Sequence, residues 1–175
     1  MSKLFWLIYI QPLHRIAICM ILMVMLWGYI GKKEGKKRWW KILNFVAFAG
    51  IVTVIFYMTV YTRGESTEEA VLIPFQSFRA AKIQPELYRS MLMNVFLFFP
   101  IGLSLPNALT KWKFPVLITI VVAFFFSTGI EYIQYHYGLG KCEVDDIIMN
   151  TLGATIGSLA YMISRKDFFC SSQRT

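Results

Sequence analysis

Apolar residues fall in five blocks along this chain, at residues 13–30, 42–61, 91–109, 114–137 and 147–164. Each is about 18 residues or longer, enough for a helix to cross roughly 30 Å of hydrocarbon. The blocks are continuous rather than alternating, which predicts α-helices and excludes the strands of a membrane barrel. The expected fold class is all-α: a polytopic membrane helical bundle of about five transmembrane helices (four to five), in a single domain over residues 1–175. Residues 4–10 are also apolar, but Gln11-Pro12-Leu13-His14-Arg15 interrupts them. Either the first helix is long and kinked at Pro12, or residues 4–10 lie in the interface ahead of it. No small-x-small cleavage site follows the apolar stretch, which argues against a cleaved signal peptide.

The loops set an expected orientation. Lys32-Lys33-Glu34-Gly35-Lys36-Lys37-Arg38-Trp39-Trp40-Lys41 carries six basic residues against one acid. It should be cytoplasmic, with Trp39 and Trp40 as interface anchors. Lys111, Lys113 and the tail with Arg165, Lys166 and Arg174 fall on the same side, which collects 11 of the 18 Lys and Arg residues. The N-terminus, residues 63–90 and the turn at 138–144 then lie outside. Within 63–90, Phe75, Phe78, Ala81 and Ile83 sit among Arg79 and Lys82. That pattern suits a short interfacial helix, a re-entrant flap or a solvated loop.

Composition agrees with a membrane protein: 57% of the residues are hydrophobic and 16% charged, against roughly 25% charged in a soluble domain. The formal charge of +8 hugs the ends of the apolar blocks, which fits lipid headgroups and not nucleic acid. The cysteines, Cys19, Cys142 and Cys170, are odd in number and scattered, so neither a disulfide nor a thiolate metal site is expected. His14 and His136 are far apart. No P-loop, dinucleotide glycine motif, Gly-x-Ser-x-Gly or His-Glu-x-x-His is present, and no cofactor is identified.

The candidate chemistry lies where polar groups meet the apolar blocks, because ionisable groups are expensive in hydrocarbon. Glu131 is expected roughly 25 Å along the fourth helix, within two turns of its outer end. Glu131, Gln134 and Tyr135 are spaced to share a face. Asp146 and Asn150 form an i, i+4 stripe that continues through Gly153 and Gly157. Asn94 lies one turn into the third helix from the same side. Arg63 ends the second helix and Arg89 precedes the third. These residues are expected at similar depth near the outer leaflet.

Each has a structural role to weigh against a functional one. Asp145 and Asp146 suit an N-cap and a first-turn acid. Gly153 and Gly157 suit close helix packing. Asn94 suits interhelical glue, and Glu131 an ion pair with Arg63 or Arg89. The Pro100-Ile101-Gly102 step suits a kink without chemistry. As chemistry, Glu131, Asp145 and Asp146 suit a divalent cation. The arginines suit a phosphate or carboxylate. Glu131 or Asp146 suits a catalytic acid–base role. Ser127 and Thr128 lie one turn from Glu131, with no histidine placed to activate them.

At these residues the chain resembles the VanZ-like family of bacterial membrane proteins. Four blocks carry the likeness, in order: Leu72-Ile73-Pro74-Phe75; Asn94-Val95-Phe96-Leu97-Phe98-Phe99-Pro100-Ile101-Gly102; Gly129-Ile130-Glu131-Tyr132-Ile133-Gln134; and Asp145-Asp146-Ile147-Ile148-Met149-Asn150-Thr151-Leu152-Gly153-Ala154, with Gly157. They span residues 63–161. Two departures stand out: Val71 replaces the family's usual asparagine, and Lys141 is separated from the acidic pair by Cys142 and Glu143. The resemblance implies a multi-pass protein of the bacterial cytoplasmic membrane. It also implies an association with reduced susceptibility to teicoplanin-type glycopeptides. The family's recurrent polar positions correspond to Arg63, Asn94, Glu131, Gln134, Asp145, Asp146 and Asn150.

Three readings follow. The first is a binder of membrane lipid, lipid-linked wall precursor or glycopeptide antibiotic at the outer polar residues. The second is an intramembrane enzyme acting on an envelope lipid or the antibiotic. The third is a structural partner subunit.

Overall fold

A computed structural model describes residues 12–61 and 70–165. The expectations for residues 4–10, Arg63 and Cys170 lie outside these residues. Five helices are long and apolar enough to cross a membrane. They are α1 (Leu13–Glu34), α2 (Arg38–Phe56), α4 (Glu86–Ala108), α5 (Pro115–His136) and α6 (Val144–Arg165). A π-helical turn, Tyr57–Tyr61, extends α2. A six-residue helix, α3 (Gln76–Ala81), lies between α2 and α4. The segment suited to an interfacial helix is therefore helical over its centre. Residues Ala70–Val71 (β1) and Cys142–Glu143 (β2) pair in parallel, Ala70 opposite Cys142 and Val71 opposite Glu143.

Helix α4 is the centre of the bundle and touches the other five helices. Its most extensive pairing is with α6. The sequence explains how close they come. A Cβ on Gly153 would collide with the Val95 carbonyl, one on Gly157 with the Phe99 carbonyl, and one on Gly102 with the Ala154 carbonyl. Without a hydrophobic force to press helices together in lipid, backbone approach of this kind is a principal source of packing energy. Ile55, Phe98, Ile101, Ala123, Ile130 and Ala154 form the largest buried cluster. Ile21, Met25, Phe45, Val46, Phe125 and Ile163 are exposed on the outer faces. In a chain of this hydropathy those faces meet lipid.

Helix α4 continues through Pro100 and Pro106. Each proline removes an amide that would bond the carbonyl four residues earlier. At the basic end, Trp27 Nε1 donates to Asn44 Oδ1 at 2.7 Å and Asn44 Nδ2 donates to the Trp40 carbonyl at 2.8 Å. Trp40 Nε1 reaches Asn107 Oδ1 at 3.3 Å. Asn44 and Trp40 are buried, so this chain satisfies polar groups that lipid could not.

Candidate functional site

The polar residues of the sequence converge at the other end of the bundle, around the end of α5 and the start of α6. Gln134 and Glu131 lie one turn apart on α5, both buried, while Tyr135 is 44% exposed. The i+4 spacing therefore separates Tyr135 from Glu131 instead of placing it on the buried face. The reason is the width of that face, which Glu131, Ser127 and Gln134 fill.

Gln134 Nε2 donates to the Thr59 carbonyl at 2.9 Å. Thr59 lies in the π-helical turn of α2, a geometry frequent at functional positions. The other amide atom, Gln134 Oε1, is buried with no hydrogen-bond partner. Asn150 repeats the pattern. Its Nδ2 donates to Ser127 Oγ at 2.9 Å, and its Oδ1 is buried without a partner. Buried polar atoms are nearly always satisfied, so two unpaired acceptors at one end of a bundle ask for donors from outside it. Glu131 lies on α5 between Gln134 and Ser127, the partner of Asn150, and its Oε2 accepts the Glu143 amide at 3.0 Å.

Asp145 takes a different role. Its Oδ1 accepts the Phe75 amide at 2.5 Å and its Oδ2 accepts the Ser77 amide at 2.7 Å. The acid caps a helix, but the helix is α3 and not its own. A carboxylate there meets the unpaired amides and the positive end of the helix dipole. It also fixes Phe75, which sits in the left-handed region at φ 63°, uncommon for a bulky residue. Ser77 Oγ donates to Glu143 Oε2 at 2.9 Å. The sequence does not single out Glu143 or Ser77. Ser77 stands in the six-residue α3 and Glu143 in the two-residue β2, both too short for a periodicity to mark them.

Asp146 is half-buried on the first turn of α6. Cys142 lies beside it, and burial together with the Glu131, Asp146 and Glu143 carboxylates pushes the Cys142 thiol up. It is a free cysteine held in its neutral form, unsuited to nucleophilic work. Asn94 and Arg89 are half-buried on α4, with Asn94 next to the Val95 backbone that Gly153 abuts. Among the described residues no three His, Cys, Asp or Glu side chains are grouped to hold a metal ion. The suggested trio of Glu131, Asp145 and Asp146 is not such a group, because Asp145 directs both oxygens to the α3 backbone.

Beside this end, a cleft of about 360 Å³ lies between α2 and α5. Val52, Phe56, Tyr57, Tyr61 and Phe126 line it almost entirely with apolar surface. Tyr57 and Tyr61 stack with ring centroids 5.2 Å apart. Its residues Tyr57 and Tyr61 flank Thr59 in the chain, and Phe126 precedes Ser127.

Comparison with known proteins agrees with these elements. The family model described as VanZ/LLP1 matches residues 44–165, from within α2 to the end of α6. Protein VanZ of Enterococcus faecium is 32% identical over 79 residues, 45% of this chain and 48% of that protein. The chain thus spans about half the length of that curated relative. No solved structure is significantly similar. The matched region holds α3 to α6, α2 from Asn44 onward and every described residue that the motifs singled out, and the chain belongs to the VanZ/LLP1 family of multi-pass membrane proteins.

Proposed function

We propose that this protein lowers susceptibility to teicoplanin-type glycopeptides by binding an amphipathic ligand at the polar end of its bundle. The ligand class is a membrane lipid, a lipid-linked wall precursor or the lipoglycopeptide itself. The observation that carries the reading is the pair of unpaired buried acceptors, Gln134 Oε1 and Asn150 Oδ1, next to an apolar cleft of about 360 Å³. Donors on a headgroup, hydroxyl or ammonium, meet the amide oxygens and the Glu131 carboxylate. An acyl chain lies in the cleft against Phe56, Tyr57 and Phe126. The basic turn at residues 32–41 faces the cytoplasm and the polar end faces outward, where such ligands are exposed.

Glu131→Gln tests the reading, with teicoplanin susceptibility measured in a strain expressing the protein. The substitution keeps shape and an acceptor for the Glu143 amide but removes the charge. Protection should fall while the membrane level of the protein holds. Full protection by the variant would remove Glu131 from the mechanism. Phe126→Trp, which fills the cleft without touching the polar residues, should also weaken protection.

A further inference from the structure

Four large apolar side chains stand exposed on the segment that joins α2 to α4. Leu72, Ile73, Phe75 and Ile83 are each more than half exposed, Ile83 at 84%. Unlike the exposed residues of the five long helices, they lie outside every span long and apolar enough to cross a membrane. The inner side of the segment is already committed to the bundle. Phe78 packs on Met91, Val95 and Met149, and Ala81 is buried. The Phe75 and Ser77 amides donate to the Asp145 carboxylate, and Ser77 Oγ donates to Glu143. Ala70 and Val71 pair with Cys142 and Glu143. The four apolar side chains are thereby held on the outside, where contact with water carries a cost.

Position and charge say what covers them. Ile83 precedes the start of α4 at Glu86 by three residues, and three residues of chain reach at most about 10 Å. Ile83 is therefore held near the level at which α4 leaves the hydrocarbon, at headgroup depth. Arg79 and Lys82 are exposed between Phe75 and Ile83, and no acid occurs from Ala70 to Pro85. Apolar side chains flanked by cations suit a lipid interface. The apolar groups sit below the headgroups, and the long basic side chains reach the phosphates.

We propose that residues 72–83 dock on an anionic lipid surface at the polar end of the bundle. Leu72, Ile73, Phe75 and Ile83 enter the leaflet, and Arg79 and Lys82 meet its phosphates. This surface is separate from the buried acceptors and from the apolar cleft, so the inference does not rest on a ligand bound there.

Site-directed spin labelling of the full-length protein in liposomes tests the proposal. Ile83→Cys and Leu72→Cys each carry a nitroxide, in a chain with Cys19→Ser, Cys142→Ser and Cys170→Ser to remove the other thiols. Both labelled positions are exposed, so the nitroxide displaces no packing. Molecular oxygen collects in the bilayer, and a neutral nickel chelate stays in water. In liposomes of phosphatidylcholine with phosphatidylglycerol, oxygen collisions should exceed nickel collisions at both positions. The excess should be smaller than at Phe125→Cys, an exposed position within α5. Nickel collisions in excess at either position mean a solvated segment, and scarce collisions with both probes mean a protein cover. Each of these results overturns the proposal. Arg79→Gln with Lys82→Gln should lower the oxygen-to-nickel ratio at Ile83→Cys in the mixed liposomes and leave it unchanged in pure phosphatidylcholine. Lys111→Gln with Lys113→Gln removes the same charge outside the segment and should leave the ratio unchanged in both. An unchanged ratio in the first pair, or an equal fall in the two pairs, overturns the anionic partner.

Discussion

Ser158 on α6 reaches across to α4 and donates its hydroxyl hydrogen to the Gly102 carbonyl at 3.3 Å. That carbonyl is the one whose helical donor Pro106 removes, four residues on. The neighbouring helix supplies what proline takes away, and α4 passes Pro106 as a helix. Only the absence of a side chain at Gly102 allows the two backbones to come this near.

Ser158→Ala should therefore lower stability by about 1–2 kcal/mol, the cost of leaving a buried carbonyl unpaired. Gly102→Ala should cost more, because its Cβ meets backbone that has nowhere to move. Thermal unfolding in detergent would show the order. Equal melting temperatures for the two variants would mean that the α4–α6 approach is not limited by Gly102.

Asp145→Ala should release α3. The substitution removes two charge-assisted bonds, each worth about 1.5–3 kcal/mol, from the Phe75 and Ser77 amides. Hydrogen exchange at those two amides should quicken far more than at α4 or α6. Unchanged protection would show that α3 is held by Phe78, which packs on Met91, Val95 and Met149.

Cys142 should react slowly with maleimide near neutral pH, because its thiolate is disfavoured first by burial and then by Glu131, Asp146 and Glu143. Removing a nearby negative charge with Glu131→Gln favours the thiolate, so labelling should start at lower pH. The raised folded value also sets a stability trend. The folded state holds this proton more tightly than the unfolded chain. The resulting contribution is complete below the unfolded thiol value and fades as pH rises through the folded one. Cys142→Ser should flatten that alkaline loss.

Asn44→Leu should destabilise the protein more than Thr53→Val. Asn44 bridges Trp27 and Trp40 in a buried position, so its loss orphans an indole N–H, at about 1–3 kcal/mol. Thr53 only returns its hydroxyl to its own helix, exposed. Matching melting temperatures would show that the tryptophan pair packs without its hydrogen bonds.

The helices were legible because uninterrupted apolar blocks leave the backbone no other way to satisfy itself in lipid. Gly153 and Gly157 announced a close approach by their spacing. Gly102 did not, because Pro100 beside it suggested a kink, and its counterpart Ala154 lies 52 residues further on. Glu131, Gln134 and Asn150 were legible as costly polar residues in apolar blocks. Their individual partners were not: nothing local connects Asp145 to Phe75, or Gln134 to Thr59. Asn44 carries its own signal in the sequence, a lone amide inside the second apolar block, with Trp27 to donate to it and the Trp40 carbonyl to accept from it.

The glycine contacts between α4 and α6 also constrain how this sequence can drift. A side chain that clashes with another side chain can be rescued by trimming its neighbour. At Gly102, Gly153 and Gly157 the opposing atom is a backbone carbonyl, which no substitution can shorten. An alanine at any of the three has no second-site suppressor across the interface, and restoring the glycine is the direct way back.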